Sequence, residues 1–258
     1  MPANRTLRGL LERYRAGEIP LDEAAQEIEG LRLEAVGELA LIDLGRELRC
    51  GLPEAVLAEG KTASQLAAIV AAQATSAGRC LVTRVSDEQA AAVREAAADA
   101  GLEVEERLAA GILIVSNGRE RPVGAGVVGI VTAGTSDIPV AEEARAVAEE
   151  MGCTVRCAYD VGAAGIHRLF PALRELLDCH VFVVAAGREG TLPAVVAGLV
   201  DRPVIGVPVS TGYGFMGAGE AALGSMLQSC SVIAVVNIDA GFVAGAFAAK
   251  VARQAADI

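Results

Sequence analysis

The chain has 258 residues, a formal net charge of −11, and 53% hydrophobic residues of which few are aromatic (3%, no Trp). Apolar content this high excludes a disordered chain, and the acidic balance with few stacking rings excludes a protein that grips nucleic acid through a broad basic surface or base-stacking platforms. Six cysteines without a C-x-x-C pair exclude a disulfide scaffold and read as the reduced thiols of a cytoplasmic protein.

Two zones meet near residue 120. Residues 1–122 hold 34 of the 55 Asp, Glu, Lys and Arg; residues 123–258 hold 18 of the 29 Gly. This predicts an amino-terminal α+β domain over 1–122 and a larger α/β domain over 123–258. Arg5, Arg8, Glu12, Arg13 and Arg15 leave no room for the apolar stretch of a signal peptide. Leu7, Leu10, Leu11 and Tyr14 have helical spacing, and Gly17 ends that helix. A second helix is predicted from Pro20 to Leu31, with Pro in the permitted first turn. Asp43, Arg46 and Arg49 recur at spacing three, one side of a third helix, broken by Gly51-Leu52-Pro53. Helices follow at 65–77 and 88–100, with strands at 81–83 and 112–115. Asn117-Gly118 reads as a hairpin-type turn.

Beyond it, five aliphatic runs alternate with helical segments. The runs are 127–132, 154–158, 181–185, 204–207 and 232–236; the helices lie near 140–151, 167–177, 192–199, 221–227 and 242–254. Strands without polar alternation are buried on both faces, so the expected fold is a doubly wound parallel sheet of flavodoxin-like type. The uncharged stretch Ala221–Ile238 contains Gly224, Ser225, Gln228, Ser229, Ser231 and Asn237, and reads as helix, turn and strand rather than a membrane span.

Ligands of open α/β sheets bind beyond the carboxyl ends of the strands. That rule selects Ala133–Asp137, Asp160–Gly162, Ala186–Gly190, Pro208–Gly219 and Asn237–Asp239. In the first loop, Gly134, Thr135, Ser136 and Asp137 precede a helix and suit a phosphate; Ser136 or Asp137 is equally suited to an ordinary N-cap. The loop is neither a Walker A nor a G-x-G-x-x-G motif. Asp160 and Arg168 frame the second loop, where Arg168 has the fork to hold a phosphate or carboxylate. In the third, Glu189 lies between Gly187 and Gly190, next to Arg188, and suits a general acid or base or a solvated charge paired with Arg188. Tyr213 and Gly214 belong to a Gly-dense segment, a ligand-approaching lid or a flexible connection. Cys230 is a small hydrophobe by base rate, with Ser229 and Ser231 making its surroundings more polar than a core. Cys153, Cys157 and His180 lack metal-site spacing, and no ligand set for a metal is read.

In this order the loops resemble the LarB family, carboxylase/hydrolases of nickel-pincer cofactor biosynthesis in lactate racemase maturation. The matching segments are A-G-T-S-D-I-P-V-A-E-E-A (133–144), D-V-G-A-A-G-I-H-R (160–168), A-G-R-E-G (186–190), P-V-I-G-V-P-V-S-T-G-Y-G (203–214), S-C (229–230) and N-I-D (237–239), with D-L-G-R-E-L-R-C-G-L-P-E (43–54) and Gly60-Lys61-Thr62 upstream. The second half is also similar to PurE-type aminoimidazole ribonucleotide carboxylases. The sequence departs from the LarB pattern at Arg188, where Met is usual, at Gln228 and Ala240, where Asn is usual, and after Cys230, where a Gly is missing. It departs from PurE at Thr191, which stands where the His before Leu-Pro does its chemistry.

The resemblance implies carboxylation of nicotinic acid adenine dinucleotide by CO2 or bicarbonate, with hydrolysis to pyridinium-3,5-biscarboxylic acid mononucleotide and AMP. It implies Cys230 as nucleophile and Glu189 as base. Gly134, Thr135, Ser136, Asp137, Asp160, Arg168, Gly187, Arg188, Tyr213 and Gly214 are the expected substrate-binding residues. Mg²⁺ on the pyrophosphate would assist hydrolysis; no bound organic cofactor is expected, since the dinucleotide is the substrate. The expected partners are these small molecules and further copies of the chain, an octamer by analogy, with no nucleic acid or membrane. The alternatives are a PurE-like ribonucleotide carboxylase or mutase and, given the altered positions 188, 228 and 240, a non-catalytic nucleotide-binding protein.

Overall fold

The computed structural model describes residues 7–30, 32–107, 110–124 and 126–256. The chain forms two compact units, Met1–Pro122 and Val123–Ile258.

In the first unit, α1 (Leu7–Arg15) and α2 (Leu21–Glu29) follow the helical spacing, and Leu10, Ile19 and Ala24 form a small buried cluster. Gly30, in the left-handed region, stops α2; Arg5 and Leu31 lie outside the described residues. A hairpin not foreseen from sequence comes next, β1 (Leu33–Val36) against β2 (Ala40–Asp43). Asp43 therefore ends a strand, and α3 spans only Arg46–Cys50. The carboxylate still meets Arg49, because Arg49 reaches back to pair with it and also donates to the Gly30 carbonyl oxygen at 2.5 Å.

A four-stranded sheet of order β3-β4-β6-β5 follows, from β3 (Ala55–Leu57), β4 (Arg79–Thr83), β5 (Glu103–Arg107) and β6 (Ile112–Ser116). β3 runs parallel to β4; the other pairings are antiparallel. Two helices, α4 (Ala63–Ala77) and α5 (Asp87–Asp99), open on capping boxes, Thr62 with Gln65 and Ser86 with Gln89. Leu66, Val70, Val82, Leu113 and Val115 are among their shared core. Asn117-Gly118 is no hairpin turn: β6 pairs with β4 and β5, both upstream.

The second unit alternates β7 (Val127–Thr132), α6 (Ile138–Glu150), β8 (Thr154–Ala158), α7 (Leu169–Arg174), β9 (Val181–Ala186), α8 (Leu192–Ala197), β10 (Val204–Pro208), α9 (Glu220–Leu227), β11 (Ala234–Val235) and α10 (Gly241–Ala256). All four pairings are parallel, in the order β11-β10-β9-β7-β8. This is the doubly wound α/β fold. The chain moves outward from β7 to β8, then crosses back over β7 to β9, so the winding reverses between β7 and β9. A crevice opens beyond their carboxyl ends at such a switch point.

The last strand is shorter than its aliphatic run: β11 holds Ala234–Val235 alone, and Val232 is 93% exposed. α10 lies tightly against α6, since a Cβ on Gly245 would run into the Ala144 backbone, and the buried Glu143 carboxylate accepts the Phe242 N–H (3.1 Å) at the start of α10. Among the described residues no helix is long and apolar enough to cross a membrane; 221–238 resolves into α9, a turn and β11.

Candidate active site at the carboxyl ends of the parallel strands

A pocket of about 490 Å³ opens at the switch point. Four loops line it, from the ends of β7, β8, β9 and β10. Its volume is that of a small-molecule site. Of the expected residues, Gly134, Ser136, Asp137, Gly187, Arg188, Glu189 and Tyr213 line it.

The loops meet because they are made of small residues. A Cβ on Gly162 would lie 2.5 Å from the Ala133 carbonyl oxygen, so only glycine lets the β8 loop lie against the β7 loop. Gly190 has φ +65°, and a Cβ there would lie 2.7 Å from the Ala222 oxygen.

Asp137 is the internal tie. Its side chain does not cap α6; it turns back, Oδ2 accepting the Gly134 N–H (2.8 Å) and Oδ1 accepting the Gly187 N–H (3.1 Å). One buried carboxylate thus joins the β7 loop to the β9 loop. Burial pushes the Asp137 carboxyl up from its ordinary 3.8, against the pull of the two N–H donors. Glu189 is exposed on the wall, and the Arg188 guanidinium lies over the Tyr213 ring, 4.4 Å from its centroid.

Thr135 and Gly214 are not among the lining residues. Asp160 and Arg168 are also outside the lining and pair with each other at 2.6 Å, which gives the arginine a carboxylate of its own chain in place of a ligand. Cys230 is exposed and precedes β11, on the opposite side of that strand from the loops that follow strands; it is not in the pocket of its own chain. Its neighbour Ser231 donates to the Ala194 carbonyl of α8 at 3.1 Å. Burial raises the Cys153, Cys157 and Cys179 thiols, that of Cys179 to about 11, which leaves Cys230 as the exposed thiol of this unit.

Thr211 and Gly162 line the pocket within the loops expected from sequence without having been singled out there, and sequence reasoning missed Thr191, Leu192 and the small pair Ala163-Ala164, which lie beyond those loop bounds. The signal for the last was present in side-chain size: a string of residues without bulk after a strand marks close backbone approach.

Two family models match the chain. Residues 33–113 match the LarB/PurE-like N-terminal domain, and residues 127–257 match AIR carboxylase. The chain belongs to the LarB family. A Methanocaldococcus jannaschii protein of uncharacterised function is 42% identical over 254 residues, 96% of this chain and 98% of that protein. Over less than half of its length the chain is similar to ribonucleotide mutases. A probable N5-carboxyaminoimidazole ribonucleotide mutase of Methanothermobacter thermautotrophicus is 31% identical over 47% of this chain and 36% of its own length. The Pyrococcus horikoshii N5-carboxyaminoimidazole ribonucleotide mutase is 30% identical over 38% and 55% respectively. The crystal structure of a Treponema denticola PurE2 variant aligns with TM-score 0.39 and 19% identity, over 51% of this chain and 88% of that one. All four pocket loops of this LarB-family chain fall inside the AIR carboxylase match, which makes the site that of a carboxylase/mutase-type domain.

Proposed function

We propose that the protein carboxylates the pyridinium ring of nicotinic acid adenine dinucleotide and hydrolyses its phosphoanhydride, giving pyridinium-3,5-biscarboxylic acid mononucleotide and AMP for nickel-pincer cofactor assembly. The observation that carries this reading is the presence of both domain matches on one chain, since the ribonucleotide mutases are matched over less than half of it.

A pyridinium ring is electron-poor and does not attack CO2. Addition of a thiolate to a ring carbon places an electron pair in a neutral dihydropyridine enamine, whose β-carbon is nucleophilic. That carbon bonds to CO2, a base removes the ring proton, and expulsion of the thiolate restores aromaticity. In this reading Cys230 supplies the thiolate and Glu189 takes the proton. Ser136 and the N–H groups of the β7 loop receive an anionic group, while Asp137 holds the loop in shape.

Cys230 lies outside its own chain's pocket, so the reading requires it to act in the pocket of a neighbouring copy. Its flanks, Leu227 at 66% and Val232 at 93% exposure, are apolar surface of the kind a second copy covers. Among the described residues no group of three His, Cys, Asp or Glu is placed to hold a metal. In this reading Mg²⁺ comes with the substrate, where it would draw charge from the pyrophosphate.

The test is mass spectrometry of the protein with the dinucleotide, bicarbonate and Mg²⁺. The expected result is AMP and a product heavier by CO2, with both lost in Cys230→Ala. Oligomers mixed from Cys230→Ala and Glu189→Gln chains should regain activity that neither has alone. Full carboxylation by Cys230→Ala overturns the thiolate step. A ribonucleotide mutase or carboxylase is the second reading, favoured by the relatives of that name. Thr191 at the histidine position counts against it, and turnover of aminoimidazole ribonucleotide would decide for it.

A further inference from the structure

The pocket wall carries few charges. Asp137 and Glu189 are its acids, and Arg188 is its one base among the lining residues. Asp137 is engaged by two backbone N–H groups, so Arg188 is the charged side chain suited to receive an anion. It is exposed, with its guanidinium carbon over the Tyr213 ring, 4.4 Å from the centroid. The two residues belong to different loops whose backbones touch: a Cβ on Gly212 would lie 2.9 Å from the Arg188 amide nitrogen, and one on Gly187 would lie 3.3 Å from Thr211 Oγ1. Arg188 also holds φ at +24°, an uncommon conformation for a residue with a long side chain. The guanidinium is thus placed by its backbone, by a neighbouring loop and by an aromatic ring together.

Stacking occupies the face of a guanidinium. It leaves the N–H donors along the edge, in the plane where they match the oxygens of a phosphate two at a time. Restraint of the side chain before a ligand arrives removes part of the rotamer entropy that binding would otherwise cost.

We infer that Arg188 and Tyr213 form a preassembled anion clasp at the pocket mouth, which holds a phosphate group of a nucleotide and sets the preference of this chain for phosphorylated over unphosphorylated ligands. That the nucleotide is a nicotinic acid dinucleotide rests on the reading above; the clasp needs only its phosphate.

Titration calorimetry on the full-length protein tests it, with nicotinic acid adenine dinucleotide, inorganic pyrophosphate and adenosine as probes. Arg188→Met should weaken the dinucleotide and pyrophosphate about tenfold, the size of one charge-assisted contact, and leave adenosine unchanged. Tyr213→Ala should weaken the two phosphorylated probes about threefold through lost restraint, and Tyr213→Phe, which keeps the stack, should match the parent. Arg188→Lys should fall between Arg and Met, keeping charge without the fork. Unchanged phosphorylated-probe affinity in Arg188→Met overturns the clasp. So does an equal loss for adenosine, which would mark a structural defect, and so does failure of the parent to bind either phosphorylated probe. Absence of AMP release by the parent would refute the carboxylase reading alone and leave the titrations to decide the clasp.

Discussion

Both units of the chain mix helices with a sheet, yet they place their loops differently. In the first unit β3 and β4 run together while β6 opposes β4 and β5 opposes β6, so connections leave from both ends of the sheet. Its charged side chains pair with one another, as in Arg46–Glu54 at 2.8 Å, Arg94–Glu106 at 2.8 Å and Arg121–Glu105 at 3.1 Å. In the second unit every strand pairing is parallel, so the loops that follow strands emerge at one end, and four of them meet at one pocket. A parallel sheet sorts its connections by end, and that sorting gathers a site from residues far apart in sequence. Backbone contacts that allow no added atom occur in both units, Gly45 on Gly30 in the first and Gly245 on Ala144 in the second; in the second such a contact seats α10 on α6, while α4 and α5 of the first start on exchangeable side-chain caps.

Substitutions at these contacts test the contrast. Gly245→Ala drives a methyl group into the Ala144 backbone, and should cost about 3 kcal/mol in urea unfolding, the upper range for overpacking. A loss near zero would show that the α6–α10 seam has slack and would break the comparison. Asp137→Asn keeps one acceptor but turns an NH2 group toward one of two N–H donors, at a cost of about 2 kcal/mol. Turnover of the dinucleotide should fall at least about tenfold as the β7 and β9 loops part.

The same variant has a pH signature. The folded-state pKa of Asp137 lies above the unfolded value, so between the two the native state binds the extra proton. The contribution of this group to stability is present below 3.8 and is lost as pH rises through the raised value. Asp137→Asn should remove that downward slope from a series of denaturant titrations. Glu143→Ala leaves the Phe242 N–H at the start of α10 without its acceptor and should cost about 1.5 kcal/mol by the same measurement. Thr62→Ala, which removes one capping box of the first unit, should cost about 1 kcal/mol and leave turnover unchanged. A loss of turnover equal to that of Asp137→Asn would place the first unit in the chemistry and sharpen the contrast in the opposite sense.

What could be read from sequence follows the same division. The strands at 127–132, 181–186 and 204–208 are nearly continuous apolar runs, and a buried parallel strand announces itself in that way; β8, at the sheet edge, instead carries Thr154 and Arg156 and is partly exposed, against the expectation of burial on both faces. β5 does not: Glu103-Val104-Glu105-Glu106-Arg107 carries one apolar residue, and its charges find partners in Arg94 and Arg121, which lie outside the strand. β1 and β2 are four residues each and half exposed, too short for their alternation to stand out. Asp43 and Arg49 share a contact because a strand end and a helix end meet, which a spacing of three mimics. At the site, position after a strand was enough to find Gly134, Asp137 and Gly187. It could not separate Arg168, which finds Asp160, from Arg188, which finds Tyr213, because the choice depends on how two loops pack. Cys230 was legible as a residue type by resemblance, and its side of the sheet follows from preceding β11 rather than following it.

The outer strand β11 joins β10 at two register positions only, Ile205 with Ala234 and Gly206 with Val235. Just beyond it, Asp239 accepts the Ser210 N–H at 2.8 Å and donates its own N–H to the Pro208 carbonyl at 2.9 Å. Ser210 begins the segment that carries Tyr213. Kinetically, the rim of the pocket is moored to the part of the sheet with the fewest rungs. Local opening is easiest where few backbone bonds must break, so the amides of Ala234 and Val236 should exchange with solvent ahead of those in β7 and β9. Each such opening slackens the mooring of the Tyr213 segment while the floor on β7 and β9 stays shut.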